Sequence, residues 1–392
     1  MGVRRSLLVL GLLEAFGPLS MDLYLPQLPQ LAASLHTSDA LAQATMSVCM
    51  IGLGLGQLVA GPLSDRYGRR RPLLVGVALF TVFSLACAFA PTIEVLLVAR
   101  LLQGLAGAAG LVITLAVARD LFSGAELSRM LSLLALVSAS APIVAPVLGG
   151  QLARVLDWRG IFVVLTGIGA ALLILAGTGL RETLPAAERH PAGFGPLGRQ
   201  FRELLRDRLF VLIVIAAAAG GVAFFSYLSM SSFVLQDQFG LSPQAFSLFF
   251  AVNAVANLLG AQLSRVLVLR FGPARLYLGG QLATAVAALL LVTSVIVGWG
   301  LPGVLSALAL FLFAVGVGGP NGTTLALGAH SARAGTAAAV LGTVTFTIGP
   351  IVAPIASIGG STALTMALSI GIAASVSALL AVLVVRHLPA RA

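Results

Sequence analysis

Two carboxylates, Glu14 and Asp22, lie inside the first long apolar run of the chain, and one guanidinium, Arg100, lies inside another. A charge in hydrocarbon is costly and by default faces the protein interior or a water-filled cavity. Glu14 stands ten residues beyond Arg4, which at about 1.5 Å per residue puts it about 15 Å deep, near the middle of a bilayer. Removal from water favours the neutral carboxyl, so such a group can take a proton from one side and release it to the other. Asp22 is eight residues on, about 12 Å higher and about 80° around a helix, so one broad cavity can be reached by both acids. Two plainer readings compete: Asp22 as a helix-end charge near Pro26, and Glu14 as the structural partner of Arg100, which sits about two turns from the outer end of its own helix.

Such groups need a scaffold that holds them away from water. Of 392 residues, 59% are apolar and only 9% charged, and the mean hydropathy is +1.05. Soluble domains carry about 45–50% apolar and about 25% charged residues. A chain this poor in charge cannot wet a globular surface, which excludes a soluble enzyme. At about 20 residues per spanning helix, twelve runs can be read. They are Ser6–Pro26, Gln43–Leu63, Pro72–Ala90, Ile93–Ala118, Leu131–Leu152 and Ile161–Leu180, then Leu209–Leu228, Ala245–Leu263, Ala274–Val297, Leu301–Leu327, Thr336–Ile358 and Thr362–Val385. The expected fold is an all-α integral membrane protein with twelve transmembrane helices in two six-helix halves, residues 1–180 and 209–392. A polar linker, 181–208, joins them and is expected to carry a surface helix over 197–208.

Loops rich in basic residues stay cytoplasmic. With the N-terminus inside, the inner segments hold 20 Arg and the outer loops only Arg154 and Arg159. Both termini are therefore expected in the cytoplasm, and the net charge of +10 is an orientation signal rather than a nucleic-acid surface. All 23 basic residues are Arg and none is Lys, which reads as the codon bias of a GC-rich bacterium. Cys49 and Cys87 lie in apolar runs and are expected to be free thiols. The four His residues, at 36, 190, 330 and 387, show no metal spacing. No cofactor is expected.

A faint repeat links the halves. APIVAP at 141–146 recurs as GPIVAP at 349–354, and Arg66-Tyr67-Gly68 recurs as Arg270-Phe271-Gly272. The two offsets are nearly equal, as expected for parallel halves with a central site at their interface.

Four segments add chemistry. GPLSDRYGRRRP, 61–72, places an acid and four Arg in a short connection between the second and third spans. LLVARLLQGLAGAAG, 96–110, carries Arg100 and Gln103, with Gly104, Gly107 and Gly110 spaced for close helix packing. Gly52, Gly54 and Gly56 read as packing as well. APIVAPVLGG, 141–150, has Pro142 and Pro146 to interrupt the backbone ladder and Gly149 and Gly150 for close approach. The seventh and eighth spans offer an aromatic stripe, which serves packing or a binding wall, together with Tyr227, Asn253 and Asn257; the Asn pair, one turn apart, suggests an inward polar face.

The first of these segments resembles the loop signature of the major facilitator superfamily. The second is similar to its Arg-x-x-Gln-Gly motif through Arg100, Gln103 and Gly104. The third is similar to the Gly-Pro-x-x-Gly-Gly motif of its drug exporters, with Ala141 and Ala145 departing from the pattern. SMDLYLPQLP, 20–29, resembles the first span of drug:proton antiporters of the bicyclomycin and chloramphenicol resistance type, and the added Glu14 is similar to multidrug/chloramphenicol facilitators. The resemblance implies proton coupling and drug binding at Glu14 and Asp22, with Tyr24 as a nearby wall and Arg100 assisting proton movement. It also implies a cytoplasmic latch at Gly61, Asp65, Arg66, Gly68 and Arg70.

Export of a small lipophilic drug against protons, by a monomer in the bacterial cytoplasmic membrane, is the expectation. A same-fold exporter of a sugar or amino acid is the alternative; a membrane enzyme or sensor would need a catalytic cluster or soluble module that the chain does not offer.

Overall fold

The computed structural model describes residues 3–185, 189, 204, 206–328 and 334–388. Among them there is no strand. In the N-terminal part α1 (Val3–Asp22) is followed by a 3-10 turn (Leu25–Gln27) and the short α2 (Leu28–Ser34). Then come α3 (Asp39–Tyr67), α4 (Arg70–Ala88), α5 (Ile93–Leu121), α6 (Gly124–Leu152) and α7 (Trp158–Gly179). The C-terminal part holds α8 (Arg208–Phe233), extended by a π-helical turn (Val234–Gln238), then α9 (Pro243–Val297), α10 (Gly300–Gly328), α11 (Ala334–Ala356) and α12 (Ala363–His387).

Local chemistry sets these boundaries. The side chains of Asp157 and Asp207 accept backbone N–H groups at the starts of α7 and α8, and Thr362 with Thr365 forms a capping box at α12. Gly272, at φ 76° and followed by Pro273, breaks α9 into two helices, 243–271 and 273–297. Gly68 has the same backbone, φ 85° and ψ 167° against 76° and 161°, so the Arg-aromatic-Gly repeat marks one turn made twice. By length and composition, eight helices among the described residues can cross a membrane. Large apolar side chains such as Leu269 and Phe89 point outward, which lipid tolerates and water does not.

The chain divides into two compact units, 1–193 with 243–247, and 194–242 with 248–392. In the first, α3 packs along α5, α4 against α5 and α7, and α1 against α5 and α6. In the second, α8 packs against α11 and α12. Glycine makes the tightest crossings. A Cβ on Gly52 or Gly104 would collide with backbone across the α3–α5 contact, and one on Gly260 or Gly316 would do so across the α9–α10 contact. Gly54 faces open space instead.

Two expectations change. The segment 61–72 is mostly helix rather than loop, because α3 continues through Pro62 to Tyr67 and only Gly68 and Arg69 form the turn. The expected surface helix over 197–208 falls mainly on residues outside those described, as do His190, His330 and Arg333.

Candidate functional site

The first unit buries its candidate functional side chains around the C-terminal half of α1. Glu14 and Asp22 are 9% and 7% exposed, and Asp22 makes no hydrogen bond or ion pair among the described residues. Glycine brings neighbouring helices onto the backbone that carries these acids. A Cβ on Gly110 of α5 would sit 3.3 Å from the Leu13 carbonyl, next to Glu14. One on Gly149 of α6 would collide with the Leu23 carbonyl, next to Asp22. The Gly150 carbonyl accepts a hydrogen bond from Gln244 Nε2 at 2.9 Å, and α6 runs through Pro142 and Pro146 without ending.

Arg100 is fully buried and has no carboxylate partner among the described residues. Its Nε donates to the Thr45 carbonyl at 3.2 Å and its Nη1 to the Ser20 carbonyl at 3.3 Å and to Gln103 Oε1. Gln103 Nε2 in turn donates to Ser84 Oγ at 2.7 Å. The guanidinium carbon lies 4.6 Å from the Tyr24 ring and 5.5 Å from the Phe162 ring, and the Tyr24 hydroxyl is 3.0 Å from Thr45 Oγ1. The cation is thus balanced by carbonyls and ring faces, and its Nη2 has no partner among the described residues. Thr45, Ser84 and Phe162 carried no signal in the sequence, since ordinary residues in apolar helices gain a role only through the neighbours they meet.

The profile of the Major Facilitator Superfamily matches residues 10–354. The chain belongs to this superfamily of transporters. It is 37% identical to an uncharacterized MFS-type transporter, YdgK, of Bacillus subtilis, over 91% of this chain and 90% of that one. It is 33% identical to a chloramphenicol resistance protein of Pseudomonas aeruginosa, over 86% and 79%. In fold it is similar to a crystal structure of a bacterial homologue of the human lysosomal transporter Spinster, with TM-score 0.78, 17% identity and all of both chains covered.

In this member of the superfamily, the charged turn after α3 is built around Arg69. Its guanidinium pairs with Asp65 and with Asp120, the latter at 3.0 Å, and donates to Ser64 Oγ at 2.8 Å. Arg70 instead donates to the carbonyls of Leu180 and Gly177, at 2.9 and 2.7 Å, and the Arg66 guanidinium carbon lies 5.1 Å from the Tyr67 ring. Asp65, Arg66 and Arg70 therefore do not form one ion-pair cluster: i, i+4 geometry delivers Arg69 to Asp65. Glu182 accepts the backbone N–H groups of Arg69 and Arg70, at 2.7 and 3.2 Å, beneath Gly68. Burial pushes its carboxyl up, but the N–H donors of Leu184, Arg69, Arg70 and Thr183 outweigh that and hold it below the usual carboxylate range. Arg69 belongs to the 61–72 motif but was not expected in the latch, and Asp120 and Glu182 were not singled out by motif; the available signal was their charge within Arg-rich connecting segments.

In the second unit, Asn253 Nδ2 donates to the Tyr227 hydroxyl at 3.0 Å, and Tyr227 stacks on Phe250 at 5.6 Å. Asn257 Nδ2 donates to the Leu312 carbonyl at 3.0 Å, beside the Gly316 crossing. Its side chain thus ties α9 to α10.

Proposed function

We propose that the chain exports a small lipophilic, antibiotic-like molecule in exchange for protons. It would do so by alternating access, with twelve spans, both termini cytoplasmic, and a monomer in the bacterial cytoplasmic membrane. The observation that carries the reading is Asp22, a buried carboxyl without a counter-ion among the described residues, on the same helix as buried Glu14. A structural acid buried at this cost would be paired. An unpaired one can cycle between charged and neutral forms, the requirement for carrying a proton. Cargo arriving from the inside favours the deprotonated acid, and protons from the outside displace it. The relative named for chloramphenicol resistance supports the class of cargo.

The chain carries no phosphate-binding Gly-Lys-Ser/Thr loop, so the reading draws its energy from the gradient. One charge crossing about 100 mV yields about 2.3 kcal/mol, and a tenfold concentration ratio costs about 1.4 kcal/mol. One proton thus sustains a cargo gradient of roughly fortyfold.

The test is cargo-driven proton release from vesicles containing the purified protein, run beside Glu14→Gln and Asp22→Asn. Coupling is expected to fall at least tenfold in one of the two variants, which identifies the carrier. Unchanged coupling in both removes the acids from the mechanism.

A further inference from the structure

The second unit contains a cavity of about 480 Å³, walled by α8, the 273–297 part of α9, α10, α11 and α12. That volume lies in the range of small-molecule sites. Glycines leave it open: Gly319 and Gly342 line it, and a Cβ on either would meet nothing within 4 Å. Phe224, Phe225 and Phe346 form an aromatic wall, with ring centroids 5.6 Å apart for the first pair and 6.3 Å for Phe225 and Phe346.

Hollow packing between helices would be indifferent to polar groups, yet this wall holds two with donors to spare. Tyr277 is only 2% exposed, and its hydroxyl makes no hydrogen bond among the described residues. A hydroxyl that lines the hollow with its donor unused is free to bond an acceptor placed there, which a Phe could not do. Gln281 has its amide oxygen 3.1 Å from the Ser377 hydroxyl, while its Nε2 has no partner among the described residues. No lining residue carries a charge.

We propose that this cavity is a binding site for an uncharged aromatic molecule with a carbonyl- or nitro-type acceptor. The acceptor takes hydrogen bonds from Tyr277 and Gln281, and the ring lies against the phenylalanines. The assignment rests on the export reading in taking the occupant for cargo. It divides the labour within the chain: proton-active acids in the first unit, recognition of neutral cargo in the second. A cationic or anionic molecule is excluded from this cavity, because no opposite charge repays its desolvation.

The test is equilibrium binding of radiolabelled chloramphenicol and of benzanilide, both uncharged aromatic amides, to the purified full chain in lipid nanodiscs. Saturable binding of at least one is expected. Gly342→Leu, which grows into the open space, should weaken it tenfold or more. Tyr277→Phe, which removes one unpartnered oxygen and keeps the packing, should weaken it about threefold to tenfold. Absence of saturable binding by either probe, or binding in both variants equal to the parent's, overturns the site. Binding that responds to the variants without any proton-driven export leaves the site standing and removes the proposed function. Export with binding indifferent to both does the reverse.

Discussion

Arg100 shows how a charge rare in its setting can be read early while its role waits for packing. A cation in an apolar run is conspicuous in any sequence, and so are Glu14 and Asp22. Which groups it meets depends on α1, α3, α7 and the bend at Tyr24; with Gln103 of its own helix these supply carbonyls, an amide and ring faces, and no carboxylate among the described residues. The planar guanidinium donates in several directions at once, which an ammonium cannot match. Arg100→Lys is therefore expected to fold but to lower export tenfold or more, measured as cargo efflux from vesicles under an imposed proton gradient. Export at the parent's rate would mean that the guanidinium's forked contacts are dispensable.

Helix crossings concern whole elements, and glycine is where their cost is concentrated. Gly104→Ala pushes a methyl into the Cys49 carbonyl across the α3–α5 contact and is expected to cost about 1–3 kcal/mol, seen as a lower thermal midpoint of the purified protein. Gly54→Ala meets open space and should be neutral or slightly stabilising. Equal melting of the two variants would contradict the crossing geometry. The turn between α3 and α4 makes a second prediction. Because Glu182 is held below its ordinary value, its contribution to stability is present above the unfolded value of about 4.3 and is lost as pH falls through the lower folded one. Glu182→Gln should thus lower the thermal midpoint at neutral pH, with the gap to the parent closing in acid below about pH 4. A gap independent of pH would assign the loss to packing.

For the whole molecule, the distribution of Arg is the only observation that reaches across every span at once. With twelve spans, 20 Arg fall in the expected inner segments and two in the outer loops, which predicts that reporters fused to either terminus stay inside: a cytoplasm-dependent fluorescent protein should be bright at both ends, and alkaline phosphatase inactive at both. One active phosphatase fusion would break the twelve-span count, since an odd number of spans separates the termini. Collapsing the proton gradient with an ionophore should also abolish concentrative export, whatever the ATP level.

Taken alone, the amino-acid sequence determined the all-helical membrane class and the short roster of charges inside apolar runs, because hydropathy and charge placement act along the chain and need no knowledge of neighbours; the superfamily was legible as a resemblance carried by four short segments. The break at Gly272 and the turn at Gly68 were legible for the same reason, as repeated Arg-aromatic-Gly segments. Only the tertiary structure decided that Arg69 rather than Arg70 meets Asp65, that carbonyls and ring faces surround Arg100, that Asn257 bonds a neighbouring backbone, and that Tyr277 faces a hollow. Each of these depends on which side chain a second helix brings within about 3 Å, a distance too short to be specified by periodicity and set by the fit of whole helix surfaces.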